Sequence, residues 1–295
     1  MTFPIARRTL LIAAALAGPA AFAWRAGAQT AGDIGTQLAA LEKKTGGRLG
    51  VSVLDKETNI SFDYRETERF PLLSSFKALA AACVLSRVDQ NEDALERLVS
   101  FPKSALVPYS PETEKHAGGR GMTLGAICEA AVTLSDNTAG NLMLEQIGGP
   151  AGLTAWLRSI GDGLSRLDRI EPDLNEAKKG DERDTTTPRQ MRETLDILLG
   201  GEETALSISA QETLLGWLVA SKTGDARQRA GLPKDVTIGE KTGTSSKGAA
   251  CDAGIVWPRG RRPIFVSVYI AGATVPVKDL NPVFAAAGAI IADMI

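Results

Sequence analysis

Strand-like alternation of apolar residues occurs near both ends of this chain, and the long stretch between them, residues 74–217, reads as helix. That order confines the fold to a sheet completed by both chain ends, with a helical lobe inserted between its strands. At the first end Leu49, Val51 and Val53 alternate with polar residues. Ile60 and Phe62 do the same across the turn Glu57-Thr58-Asn59, which predicts an antiparallel hairpin. At the second end strand character returns at Val236-Thr237-Ile238, Gly254-Ile255-Val256-Trp257 and Ile264 to Tyr269. Asp33 caps a helix through Ile34, Leu38 and Leu41 that stops at Gly46-Gly47, and an Ala-rich helix from Val283 to Ile295 closes the chain. The expected class is α/β (α+β), an antiparallel sheet flanked by helices built from both chain ends. Residues 29–70 and 218–295 then form one discontinuous lobe, and residues 71–217 an inserted all-helical lobe. A cleft between two such lobes is a natural place for a site. One segment, Leu164 to Asp184, is polar and aperiodic, and loops of that length inside compact domains are usually functional.

Composition narrows the chemistry. With 33 basic against 35 acidic side chains and a net charge of -2, the chain has no basic footprint for nucleic acid. It holds a single histidine, His116, which is predicted to lie on the surface, in a charged segment before Gly118-Gly119. Cys83, Cys128 and Cys251 are too widely spaced for a CxxC pair, so zinc sites of the common kinds cannot be built. No metal and no cofactor is expected, and hydrolytic chemistry here has to run without imidazole.

Residues 1–28 read as an export signal. Arg7-Arg8 precede an apolar stretch from Leu10 to Trp24, broken by Gly18-Pro19 and short of a membrane span. Ala26-Gly27-Ala28 supplies the small-residue pattern for cleavage, and the paired arginines suggest the twin-arginine route. Cleavage removes Arg7, Arg8 and Arg25 and no acid, moving the net charge from -2 to -5.

Four short motifs then fall in order at predicted element ends. Ser74-Ser75-Phe76-Lys77 opens the first helix of the insert, placing an amine one turn from a hydroxyl at a helix N-terminus. By itself it is weak: taken alone Ser74 reads better as a helix cap, and Ser100-Phe101-Pro102-Lys103 matches the same pattern by chance. Ser135-Asp136-Asn137 lies between two helices, where all three residue types also serve as caps. Lys241-Thr242-Gly243 ends a strand and would point a cation, a hydroxyl and accessible backbone into the cleft. Arg169-Ile170-Glu171-Pro172-Asp173-Leu174-Asn175 sits in the long polar loop.

Together these motifs resemble those of the class A serine β-lactamases. The resemblance extends over nearly the whole of residues 29–295, through Tyr109-Ser110-Pro111, Gly148-Gly149-Pro150, Asp181 to Thr186, and Trp257-Pro258. It implies an exported, monomeric hydrolase of small-molecule β-lactams with no lasting membrane association. On this resemblance Ser74 is the nucleophile, with Lys77 or Glu171 as base for acylation, and Glu171 activates the deacylating water that Asn175 helps to hold. Ser135 relays a proton to the departing nitrogen, and Asn137 binds the substrate's acylamide. Lys241, Thr242 and Arg227 receive its carboxylate, a cationic neighbour such as Lys241 lowers the pKa of Lys77, and Tyr109 walls the cleft mouth. The backbone N–H groups of Ser74 and Thr244 form the oxyanion hole. Arg169 and Asp184 close the long loop, Asn141 buttresses it, and Asp136 is a buried hydrogen-bonding residue. Carbapenem-hydrolysing relatives carry a disulfide where this chain has Leu73 and Ser245, so that staple is absent. Cys128 matches a disulfide position in some relatives, but Cys83 lies half a helical turn from the partner position at Ala81, which disfavours that bridge. Two other readings stay open here: a penicillin-binding D,D-peptidase, which lacks the loop glutamate, and a non-catalytic β-lactam sensor whose adduct persists.

Overall fold

Gly46, at φ 67°, ends the first helix in a left-handed conformation that side chains resist. The computed structural model describes residues 31–201 and 204–293, so the export signal read over residues 1–28 lies outside the described residues. Helix α1 (Ala31–Thr45) leads through Gly46 into β1 (Arg48–Asp55), which pairs with β2 (Ile60–Tyr64) as the predicted hairpin, Val53 opposite Phe62. A two-residue strand β3 (Phe70–Pro71) precedes α2 (Phe76–Asp89). Next, β4 (Leu98–Val99) pairs with β5 (Met122–Thr123), ahead of α3 (Leu124–Thr133), α4 (Asn137–Gln146) and α5 (Gly149–Ser159). The long loop ends at β6 (Thr185–Thr186), which pairs with β3 and leads into α6 (Pro188–Leu199) and α7 (Ile208–Val219). One short turn of helix, α8 (Gln228–Gly231), precedes β7 (Thr237–Ser245), β8 (Ala249–Trp257), β9 (Ile264–Ala271) and α9 (Asn281–Ala292).

The main sheet has the order β2-β1-β9-β8-β7, antiparallel throughout, so the two chain ends meet where β1 pairs with β9. Period-two alternation sorts its side chains into two cores. Cys251, Ala253, Ile255, Phe265 and Tyr269 join the core built around α2, whereas Ala250, Val256, Ile264, Val266, Val268 and Ile270 pack with α1 and α9. α2 is buried without a break from Phe76 to Ser86, as befits a helix apolar on every side, and its alanines let neighbouring helices approach closely. Its first turn is therefore held from all directions, which fixes Lys77. Among the described residues no helix is long and apolar enough to cross a membrane.

Two expectations need adjustment. Lys241-Thr242-Gly243 does not end its strand: β7 continues to Ser245, because pairing with β8 persists to Ala249. The first insert helix opens at Phe76, and Ser74 lies ahead of it in a 3-10 turn, Leu73–Ser75. The segment 164–184 remains loop apart from a 3-10 turn at Asp173–Glu176, and it is closed by the bridge of Arg166 with Thr185.

Cys83, Cys128 and Cys251 are buried free thiols. Burial pushes the Cys83 thiol up to about 12 and that of Cys251 up to about 11, so neither offers a thiolate at neutral pH. The native protein should therefore resist a charged thiol reagent and keep its activity in reductant, whereas the unfolded chain should label at all three cysteines. Fast native labelling, or inactivation by reductant that reoxidation reverses, would contradict this arrangement.

Candidate active site

Leu73, at φ 49°, turns the chain so that Ser74 faces the cleft just before α2 begins. Lys77 follows one turn later, and its Nζ donates to Ser74 Oγ at 3.0 Å. The amine is wholly buried and further bonded to the Ser135 carbonyl (2.9 Å) and to Asn137 Oδ1 (2.6 Å). Glu171 Oε1 lies 3.0 Å from Lys77 Nζ and accepts from Ser74 Oγ at 3.3 Å. Three segments distant in sequence thus converge on one buried ammonium. Burial holds the Lys77 amine below the usual lysine range, and the Glu171 and Asp136 charges oppose that shift.

If Lys77 is to act as base, a cationic neighbour such as Lys241 was expected to push its amine down, and the structure gives burial as the cause instead. Lys77 drops because it is desolvated, while the repulsion falls on Lys241, lowered to about 7 first by burial and then by the Lys77 charge. Lys241 Nζ donates to Ser135 Oγ at 3.0 Å, and Lys77 Nζ lies 3.5 Å from the same oxygen, so this hydroxyl joins the two amines. Ser135, at φ 60°, occupies the tight link between α3 and α4.

Asp136 lies behind Ser135 at the start of α4. Fully buried, it caps α4 by accepting from Ala139 N–H and also receives the N–H groups of Glu112 and Thr113 and the Thr113 hydroxyl. Those bonds anchor the segment carrying Tyr109, which is 61% exposed and whose carbonyl accepts from Asn137 N–H. The Asn137 amide also donates to the Pro108 carbonyl.

Glu171 is brought to Ser74 by its loop. Asn141, one turn beyond Asn137 on α4, donates to the Glu171 carbonyl and accepts the Glu171 N–H, both at 2.9 Å. Asn175 Nδ2 donates to Glu171 Oε2, while Asn175 Oδ1 is buried without a hydrogen-bond partner among the described residues. An acceptor of that kind beside a carboxylate suits a bound water. At the loop base Asp184 accepts from Arg169 Nε at 2.6 Å and from the N–H groups of Asp168 and Arg169. Arg169 extends further, to Glu176.

On β7 the alternation puts Lys241, Gly243 and Ser245 toward the helices, and Glu240, Thr242 and Thr244 toward the turn before α8. Gly243 is required sterically: a Cβ there would lie 2.6 Å from Leu73 Cβ and 2.9 Å from Ser74 N. Thr244, the next residue on the strand, is exposed. Thr242 Oγ1 contacts Thr223 Oγ1 at 2.6 Å. Arg227 is buried, with Nη1 spent on the carbonyls of Gly243 and Cys251 and Nη2 on Thr244 Oγ1 at 2.6 Å. It orients Thr244 more than it offers a free cation.

Sequence reasoning noted Ser245 only as the absence of a cysteine, yet its hydroxyl donates to the Asn175 carbonyl at 2.6 Å and ties β7 to the loop. Ser100 lies outside the site, bonded to the Arg120 carbonyl, and His116 pairs with Glu112 at the surface.

Comparisons with known proteins place the chain in a family. The family model described as "Beta-lactamase enzyme family" matches residues 33–295. The chain is 45% identical over 251 residues to the "Carbapenem-hydrolyzing beta-lactamase KPC" of Klebsiella oxytoca, covering 85% of each chain. It is 40% identical over 291 residues to "Beta-lactamase CTX-M-97" of Escherichia coli, covering 99% of this chain and 98% of that one. Among solved structures, "Ancestral (GNCA) Beta-lactamase class A" superposes with a TM-score of 0.86 at 54% identity, over 89% of this chain and 100% of that one. With a serine, two buried lysines and a loop carboxylate gathered in one cleft, the chain belongs to the beta-lactamase enzyme family, as a class A serine β-lactamase.

Proposed function

We propose that this enzyme opens the β-lactam ring of penicillins and cephalosporins through a covalent adduct on Ser74, and that Glu171 drives release of that adduct. The observation that carries this reading is the contact of Ser74 Oγ with both Lys77 Nζ (3.0 Å) and Glu171 Oε1 (3.3 Å). Ser74 Oγ attacks the carbonyl carbon, and its proton passes to a neutral Lys77 or to Glu171. The ring C–N bond then breaks, and Ser135, bridged to both lysines, delivers a proton to the nitrogen. Oxyanion charge is met by the N–H groups of Ser74 and Thr244, where loss of a donor typically costs about 3 kcal/mol. In the second half Glu171 takes a proton from a water held with Asn175, the hydroxyl attacks the ester carbon, and Ser74 Oγ leaves and regains its proton.

Lys241 and Thr242 receive the substrate carboxylate, with Arg227 acting through Thr244. Asn137 takes the acylamide side chain, and Tyr109 covers the mouth. The loop is held by Arg169 and Asp184 and buttressed by Asn141. These contacts support the catalytic reading over a D,D-peptidase or a sensor, because neither alternative needs a carboxylate wedged between nucleophile and loop. We read the site as lying between the lobes formed by residues 29–70 with 218–295 and by residues 71–217. The enzyme acts as an exported monomer, in the periplasm or outside the cell, where it protects against β-lactam antibiotics.

Ser74→Ala should abolish hydrolysis with melting unchanged, and Ser100→Ala should have little effect; a chromogenic cephalosporin checks both, and the reverse result would move the site. Glu171→Gln keeps the size of the side chain but cannot accept a proton, so the adduct should accumulate. Intact-protein mass spectrometry after mixing with a penicillin should then show protein plus whole drug, while the parent returns to its free mass. Normal turnover by this variant would remove Glu171 from the chemistry, and failure to acylate would make it the base for the first step too. The exported protein should begin at Gln29 by mass, and a full-length, membrane-held product would refute processing after Ala28.

A further inference from the structure

Behind β7, on the face turned away from Ser74, two acidic side chains lie fully buried in contact with one another. Glu240 and Asp252 are each 0% exposed, and the Glu240 charge acts on the Asp252 carboxyl. Register explains the contact: Asp252 stands directly opposite Thr242, Glu240 opposite Gly254, and these residues share one face. Gly254 leaves the room, since a Cβ there would lie 3.0 Å from Glu240 Cβ. One oxygen of each carboxyl is engaged: Glu240 Oε1 accepts from Arg229 Nε at 2.8 Å, and Asp252 Oδ2 accepts from Gln228 N–H at 3.1 Å. The other two, Glu240 Oε2 and Asp252 Oδ1, are buried with no donor among the described residues.

Two carboxylates in contact away from water cannot both ionise, and two buried acceptors with no donor are best satisfied by a proton between them. We propose that Glu240 and Asp252 hold one proton between Oε2 and Oδ1, with Asp252 as the neutral acid, and that this bond positions the turn carrying Arg227. Glu240 is the charged member because it is ion-paired with Arg229. Burial, followed by the Glu240 charge, holds the Asp252 carboxyl well above the usual carboxylate range. The other charged groups near the pair are Arg227, committed to backbone carbonyls and Thr244, and Asp225, 3.7 Å from Arg229. α9 contributes Asn281, a neutral side chain that accepts from Arg227 Nε, and β9 places Val268 opposite Asp252.

The pair grips Gln228 and Arg229, the two residues after Arg227, and Gln228 Nε2 also donates to the Asp252 carbonyl. Gly224 seats the start of the turn against the same carboxyl, since a Cβ there would lie 1.9 Å from Glu240 Oε1. Glu240 and Asp252 are thus positioning residues, acting through Arg227 on Thr244 and from beside Thr242. A carboxyl raised in the folded state stabilises most below the ordinary carboxylate range, and that contribution is lost as pH rises through the folded value. Alkaline pH therefore removes the proton, sets two charges face to face and loosens the Arg227 turn.

Asp252→Asn tests this in the full-length enzyme, because an amide supplies a permanent N–H to Glu240 Oε2 and still accepts from Gln228. The Asn variant should melt no lower than the parent, lose the parent's alkaline decline in melting temperature, and keep KM flat where the parent's KM rises. Asp252→Ala strands Glu240 Oε2, so it should melt lower and raise KM several-fold with a smaller change in kcat. Infrared spectroscopy at neutral pH should show a protonated-carboxyl carbonyl band in the parent that the Asn variant lacks. Absence of that band, or an Asn variant as damaged as the Ala variant, would overturn the shared proton. An unchanged KM in the Ala variant would overturn the positioning role. That role rests on the proposed parts of Arg227 and Thr244, whereas the infrared and melting results hold whatever the enzyme turns over.

Discussion

A lysine ammonium wholly removed from water has to be surrounded by oxygen, and in this fold that requirement organises the site. Lys77 cannot retreat, because the helix that carries it is buried along eleven consecutive residues and packed on every side. Its partners must therefore come to it. Ser74 arrives from the turn ahead of α2, the Ser135 carbonyl and Asn137 from the α3–α4 link, and Glu171 from the long loop. Each delivery has its own support: Asp136 caps α4 behind Ser135, and Asn141 clamps the backbone of Glu171. The carboxylate that balances the buried lysine is also the base proposed for the water, so one ion pair links stability of the cleft to turnover.

A second constraint is steric. β7 passes so close to the Leu73–Ser75 turn that no side chain fits at Gly243. That proximity seats an edge strand of the main sheet directly against the turn that carries Ser74. Relatives can hold these two segments together with a disulfide at the positions of Leu73 and Ser245. Here packing of Leu73 against Gly243, together with the bond from Ser245 to the Asn175 carbonyl, does the holding, and the second bond also reaches the loop that carries Glu171.

Legibility in the sequence followed the range of the interaction. The hairpin at β1–β2, the strands near 254 and 264 and the first and last helices were readable because alternation and helical spacing are local. The motif residues were readable because their order and spacing are specific, so Ser74, Lys77, Ser135 and Glu171 could be singled out before any contact was known. The end of β7 was misjudged at Gly243, since glycine in isolation reads as a stop, whereas nine residues of pairing with β8 carry the strand to Ser245. The cause of the low Lys77 pKa was also misassigned, because desolvation comes from neighbours that no spacing reveals. Arg227 was read as one of three residues that receive the substrate carboxylate, and only the packing shows its guanidinium turned inward onto two carbonyls and Thr244.

The alternation of β7 gives the two faces of a single strand different neighbours. Residues of one parity, Lys241, Gly243 and Ser245, meet the helical segments and the loop. Those of the other parity, Glu240, Thr242 and Thr244, meet Thr223, Arg227 and Arg229, where the strand is held. A single-residue slip in pairing with β8 would exchange the two sets, turning Glu240 toward Lys77 and Lys241 toward Arg229. Both placements are electrostatically poor: the first adds a second carboxylate beside Glu171, and the second sets two cations together. Register on this edge strand is thus fixed by charge as well as by apolar pattern, and the strand that most exposes the site is also specified from behind.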